Sequence, residues 1–160
     1  MGKGRMNRLA LVISVLVVML GGCDLLRTPP AATSTAKAGD PLASTTWGLL
    51  YLHGNPPLEG TRISLEFSGG FVRGFAGCNT YGRLVIGDDA DAGKYKSTPD
   101  GGLVIPRLMI TALDCPAPFG VMAQEDAYLK ALRSAVAFRL VGNRLEMQDA
   151  AGVTVLVFAR

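Results

Sequence analysis

Thr61-Arg62-Ile63-Ser64-Leu65-Glu66-Phe67-Ser68-Gly69-Gly70-Phe71-Val72-Arg73-Gly74-Phe75 reads as two short strands about a tight turn. Residues 61–67 alternate polar and apolar, the period-two pattern of a half-buried strand. Ser68-Gly69-Gly70 supplies turn residues, and residues 71–75 return. The same grammar recurs downstream. Asp100-Gly101-Gly102 leads into Leu103-Val104-Ile105, and Gly142-Asn143 joins residues 137–141 to 144–147. Asp149 to Gly152 then turns into Val153-Thr154-Val155-Leu156-Val157-Phe158. Turns this short imply antiparallel pairing. One helical period interrupts the strands between about Phe119 and Val136, where Met122, Leu129, Leu132 and Val136 share a stripe. The expected class is α+β and mostly β: an antiparallel curled sheet or small β-barrel with one helix packed across it.

Upstream, the chain changes character. Lys3, Arg5 and Arg8 precede an apolar run from Leu9 to Leu20, broken only by Ser14. This is the length of a signal-peptide core and short of the ~20 residues a spanning helix needs. Leu20-Gly21-Gly22-Cys23 resembles a bacterial lipobox, with Gly21 where Ala, Ser or Thr is usual. Residues 1–22 are thus expected to be a lipoprotein signal peptide, with Cys23 lipidated. An ordinary cleaved signal with a chance cysteine and an uncleaved anchor are the other readings. At ~0.8 kcal/mol per buried methylene, the two or three acyl chains of a lipobox cysteine meet the two-signal requirement for stable anchoring. The expected location is the bacterial cell envelope, facing the periplasm or exterior, with the membrane as partner through the anchor.

Residues 23–46 follow as a lipidated N-terminus and tether. Thr28-Pro29-Pro30-Ala31-Ala32-Thr33-Ser34-Thr35-Ala36 offers nothing to a core. Residues 47–160 remain as one domain of ordinary size. The whole chain has 16 Lys+Arg against 13 Asp+Glu. Without Lys3, Arg5 and Arg8 the count is 13 against 13, so no basic excess is left to suggest a nucleic-acid partner.

Catalytic templates are missing from the sequence. No Gly-x-Ser-x-Gly elbow occurs; Ser68, in Glu66-Phe67-Ser68-Gly69-Gly70, reads as a turn residue. His53 is the only histidine and lies in a turn-rich His53-Gly54-Asn55-Pro56-Pro57 stretch. Asp88, Asp89 and Asp91 read as a solvated acidic loop, because Ala90, Ala92 and Pro99 fall where calcium ligands would be needed. Glu125 lies on the helix's apolar stripe. A buried carboxylate must be hydrogen-bonded or paired. Glu125 either sits at the stripe's edge or ties the helix to backbone amides of a neighbouring loop. As a general acid or base it would lack an identifiable second group. No catalytic residue, cofactor or metal site is assigned.

Several blocks occur in a telling order: Trp47-Gly48-Leu49, Gly74-Phe75-Ala76-Gly77-Cys78-Asn79-Thr80-Tyr81, Gly93-Lys94-Tyr95 and Leu103-Val104-Ile105. Thr111-Ala112-Leu113-Asp114-Cys115, Met122-Ala123-Gln124-Glu125-Asp126-Ala127-Tyr128-Leu129 and the closing Leu145-Glu146-Met147 complete them. Together they resemble the META/HslJ domain family over residues 47–160. Two departures are the acidic insertion at 83–92 and Leu113-Asp114, where relatives often carry Met-Ala. The resemblance implies a barrel-like domain crossed by a helix, with Gly77, Asn79, Thr111, Met122 and Glu125 as structural motif positions. It also implies a cysteine pair at Cys78 and Cys115. Cysteine usage agrees: with Cys23 claimed by lipid, an even pair is left in an oxidising compartment. Two free buried thiols are the alternative. The family is commonly secreted or membrane-tethered, and some members are linked to heat shock, drug tolerance or virulence.

A non-catalytic, stress-related or envelope-maintenance interaction module, contacting envelope proteins through an exposed apolar patch, is the leading expectation. Second is a carrier of a small apolar ligand in a barrel mouth lined by Phe67, Phe75, Leu145 and Phe158. A hydrolase is the residual third.

Overall fold

The computed structural model describes residues 39–83 and 89–160. The expected signal peptide, Cys23 and the first part of the tether lie outside the described residues, as does Asp88 of the acidic loop.

Among the described residues, ten strands and one helix follow in chain order. β1 (Thr45–Leu52) is central, flanked by β2 (Ser64–Ser68) and, from the far end of the chain, by β10 (Thr154–Ala159). β2 runs through the expected turn into β3 (Phe71–Phe75), with Ser68 opposite Phe71 and Leu65 opposite Gly74. β4 (Thr80–Gly82) pairs with β3, and β7 (Met109–Ile110) pairs with β4 at one edge. On the other flank β9 (Arg144–Gln148) pairs with β10, and β8 (Ala137–Val141) forms the second edge. The order is β7-β4-β3-β2-β1-β10-β9-β8, antiparallel throughout.

The curled sheet with a crossing helix is therefore the observed class, and the closed barrel is not. A separate hairpin, β5 (Lys96–Ser97) with β6 (Leu103–Val104), lies beside the sheet. The segment leading into it accepts the Val72 N–H of β3 on Gly93 O (2.6 Å), and its turn accepts the Phe138 N–H of β8 on Gly101 O (2.7 Å). Both strands are two residues long, and Pro106, which has no N–H to give, follows them. The ladder cannot run on into β7.

Ile63, Leu65, Phe67 and Val72 are buried, as the alternation requires. They join Trp47, Leu145, Met147, Leu156 and Phe158 in one core. α1 (Val121–Ser134) is shorter than the expected 119–136. Gly120, at φ 88°, holds its N-terminus in a left-handed conformation, and Ala135 is extended. Val136 has already joined the sheet, with its N–H donating to Gln148 O (2.9 Å). Tyr128, Leu129 and Leu132 face the core, while Val136 and Phe119 do not.

The domain begins earlier than residue 47. Leu42 is wholly buried, and Thr45 donates its hydroxyl to Leu42 O (2.6 Å) while accepting from Trp47 Nε1 (2.8 Å). Asp40 accepts hydrogen bonds from the hydroxyls of Tyr95 and Ser97. Composition alone made residues 40–46 look like tether. The lone apolar Leu42 is what pulls them into the core.

Candidate functional site

The chemistry-bearing side chains converge where the β3–β4 turn meets the start of α1. After β3 the backbone turns at Gly77, whose φ of 111° disfavours any L side chain. A Cβ there would meet Val121 and Gln124 of the helix at ordinary contact distance, 3.4 and 3.5 Å, so the backbone conformation is what calls for glycine. This turn aims the N–H groups of Cys78 and Asn79 at the helix. Glu125, one turn into α1 and 5% exposed, accepts both on Oε2, at 3.2 and 2.7 Å. Its Oε1 accepts the Asn79 side-chain amide at 2.7 Å.

Asn79 is itself fully used. Its Nδ2 also donates to Leu113 O (3.0 Å), and its Oδ1 accepts from Thr111 Oγ1 and Leu113 N–H, both at 2.7 Å. Thr111 Oγ1 in turn accepts the Thr80 N–H (3.2 Å). Cys78 and Cys115 form a disulfide with Cα atoms 5.9 Å apart. Gly77, Asn79, Thr111 and Glu125 thus meet around one disulfide. Met122 lies half-buried on the helix and takes no part in this network.

Such an arrangement is a tie between three segments far apart in sequence. The Glu125 carboxylate accepts three hydrogen bonds, and its donors are backbone and amide groups that hold their protons. Among the described residues, no buried side-chain nitrogen or oxygen lacks a partner, and no three His, Cys, Asp or Glu groups gather as metal ligands. His53 is exposed in its turn, and Ser68 is exposed at the end of β2. Asp89 and Asp91 pair with Arg107 and Lys94 at the surface.

A second buried polar feature is absent from the sequence expectations. Tyr81 and Tyr128 are sealed in the core with hydroxyls 2.6 Å apart. Tyr81 donates to Ser64 O (2.8 Å), so Tyr128 donates to Tyr81. Gly74 makes room, because a Cβ there would sit 2.5 Å from the Tyr81 hydroxyl and 2.0 Å from Ser64 O. Burial pushes both phenols well above their ordinary range. The only sequence signal was polar tips at two core positions.

The carrier expectation named Phe67, Phe75, Leu145 and Phe158 as a ligand lining. Phe67, Leu145 and Phe158 instead have no exposed surface at all and belong to the packed core, and Phe75 is half-buried. Recesses lie on the outside. One, of about 530 Å³, is bordered by Pro56, Leu58, Ala123 and Phe119, the last 98% exposed. Another, of about 610 Å³, lies between the β2–β3 turn and the β5–β6 hairpin.

A curled antiparallel sheet crossed by one helix, with a helix carboxylate fastened to a disulfide-bearing turn, defines a small β-rich domain class. The META domain model matches residues 40–160, and this chain belongs to that family. The match starts at Asp40, the residue clasped by Tyr95 and Ser97. The fold is similar to an NMR structure at 18% identity and TM-score 0.53, covering 72% of this chain and 88% of that one. It is also similar to the NMR structure of a protein from Burkholderia xenovorans at 25% identity and TM-score 0.52, covering 74% and 83%. No curated protein matches this chain.

Proposed function

We propose that this protein is a lipid-anchored component of the bacterial cell envelope whose META domain is a non-catalytic interaction module. The anchor rests on the Leu20-Gly21-Gly22-Cys23 ending behind a basic, then apolar, leader. Support for an oxidising location comes from the Cys78–Cys115 disulfide. The observation that carries the non-catalytic part is the commitment of Glu125 to three donors that hold their protons. The exposed apolar pair of Phe119 and Leu58, which border one recess, is the kind of surface an envelope partner would cover.

Two mass measurements test this reading. The N-terminal peptide of protein extracted from bacterial membranes is expected to begin at Cys23 and carry acyl chains. An unmodified peptide that retains the leader would sink the anchor. Native mass spectrometry of the exported chain is expected to give the bare mass with one disulfide. A reproducible extra mass of an apolar small molecule would instead establish a carrier.

A further inference from the structure

We infer that the outer face of the β5–β6 hairpin, with the cleft beside it, is the surface this domain lays on an anionic phospholipid bilayer. The inference rests on the lipid anchor proposed above and adds to it an orientation.

Two observations carry it. The first is composition. The cleft of about 610 Å³ is lined by Phe71, Val104 and Pro106 together with Lys94, Lys96 and Asp91. Lys96 and Val104 are cross-strand partners and so point to the same side, and Val104 is 55% exposed although apolar. Apolar groups flanked by long cationic side chains suit the headgroup boundary, where the stem stays dry and the charge meets phosphate.

The second is charge. Asp91 neutralises Lys94 at 2.5 Å, but among the described residues no carboxylate pairs with Lys96. Arg83 lies over the Phe71 ring, its guanidinium 4.4 Å from the centroid. A stacked guanidinium is weakly hydrated and keeps its N–H edge for phosphate oxygens. Among the described residues, Lys96 and Arg83 thus leave this face with a positive excess, which would be drawn to anionic lipid within about one Debye length, ~8 Å at physiological salt.

Lysine footprinting of the full chain tests this without substitution. The membrane-extracted protein is reconstituted on vesicles of phosphatidylcholine alone, or with one-third phosphatidylglycerol, and labelled with a water-soluble amine-reactive ester. Expected on the anionic vesicles is a several-fold loss of labelling at Lys94 and Lys96, no change at Lys130 on α1, and recovery at 0.5 M salt. Equal labelling of the three lysines on both vesicles, or equal protection of all three, would overturn the inference. The N-terminal peptide, read in the same digest, reports acylation separately. An acylated chain with unprotected Lys94 and Lys96 rejects the face and keeps the anchor. A chain without acyl groups rejects the anchor, and its lysine pattern on the vesicles still decides the face.

Discussion

Asn79 and Glu125 hold each other twice, backbone N–H to Oε2 and side-chain Nδ2 to Oε1, both at 2.7 Å, across 46 residues of sequence. The β3–β4 turn is fixed on the helix by this pair, and the disulfide then fixes the segment before the helix to the same turn. One buried carboxylate organises all three pieces.

Glu125→Ala would strand the N–H groups of Cys78 and Asn79 and one Asn79 amide proton in the interior. Buried donors without partners cost about 1–3 kcal/mol each. Water entering the vacated space would satisfy some of them. The expected loss is about 3 kcal/mol in urea unfolding. Glu125→Gln, which keeps the shape and one acceptor oxygen, is expected to lose about half as much.

Reduction of Cys78–Cys115 removes a cross-link with a sequence separation of 37. The chain-entropy relation gives about 4 kcal/mol for a loop of that length. The hydrogen bonds of Asn79 and Glu125 are untouched, so the reduced domain is expected to remain folded with a lower midpoint in urea. Thiol labelling checks the starting state: the denatured, unreduced chain is expected to show neither Cys78 nor Cys115 as reactive.

The two buried tyrosines predict an alkaline limit. Both phenols titrate higher in the folded state than in the unfolded chain, where their pKa is about 10. The folded state therefore holds protons that the unfolded state gives up. Their contribution is complete below about pH 10 and is lost as pH rises further. Thermal midpoints are expected to fall steeply above pH 10. Tyr128→Phe, which leaves the Tyr81 bond to Ser64 O intact, is expected to cost about 1 kcal/mol at neutral pH and to make the alkaline fall shallower. Tyr81→Phe strands both Ser64 O and the Tyr128 hydroxyl and is expected to cost more.

Asp40 predicts the acid side. Burial raises its pKa, but hydrogen bonds from Ser97, Tyr95 and the amides of Leu42 and Ala43 outweigh that and leave it below the ordinary carboxylate range. Its stabilisation is present above the unfolded pKa, about 3.9, and is lost as pH falls through the lower folded value. Asp40→Asn is expected to lower the thermal midpoint at pH 7 and to flatten its decline below pH 4. Equal acid slopes for the two proteins would show that Asp40 contributes nothing to that limit.

Local signals in the sequence were enough for the hairpins. Alternation at Ile63, Leu65 and Phe67, with glycines at 69–70 and Gly142-Asn143, set strand faces and turns, because a period of two and a positive φ are properties of a few adjacent residues. The position of Glu125 on an apolar stripe likewise demanded partners, and the order of motif blocks, read as a family resemblance, pointed to Cys78 and Cys115. What local pattern could not decide was closure. Whether β8 meets β7 depends on the length and proline content of the segment between β6 and β7 and on how far the sheet curls, which sums over every strand. Nor could it show that Leu42 ends in the core, since one apolar residue in a polar stretch has no period. The Tyr81–Tyr128 contact is likewise a product of tertiary structure: it needs the helix laid across β4 and a glycine at 74 to admit the hydroxyl. The sequence determined which residues turn, alternate and require a partner. Only the folded chain decided who the partner is, because hydrogen bonds that span 46 residues form where packing brings the two ends together.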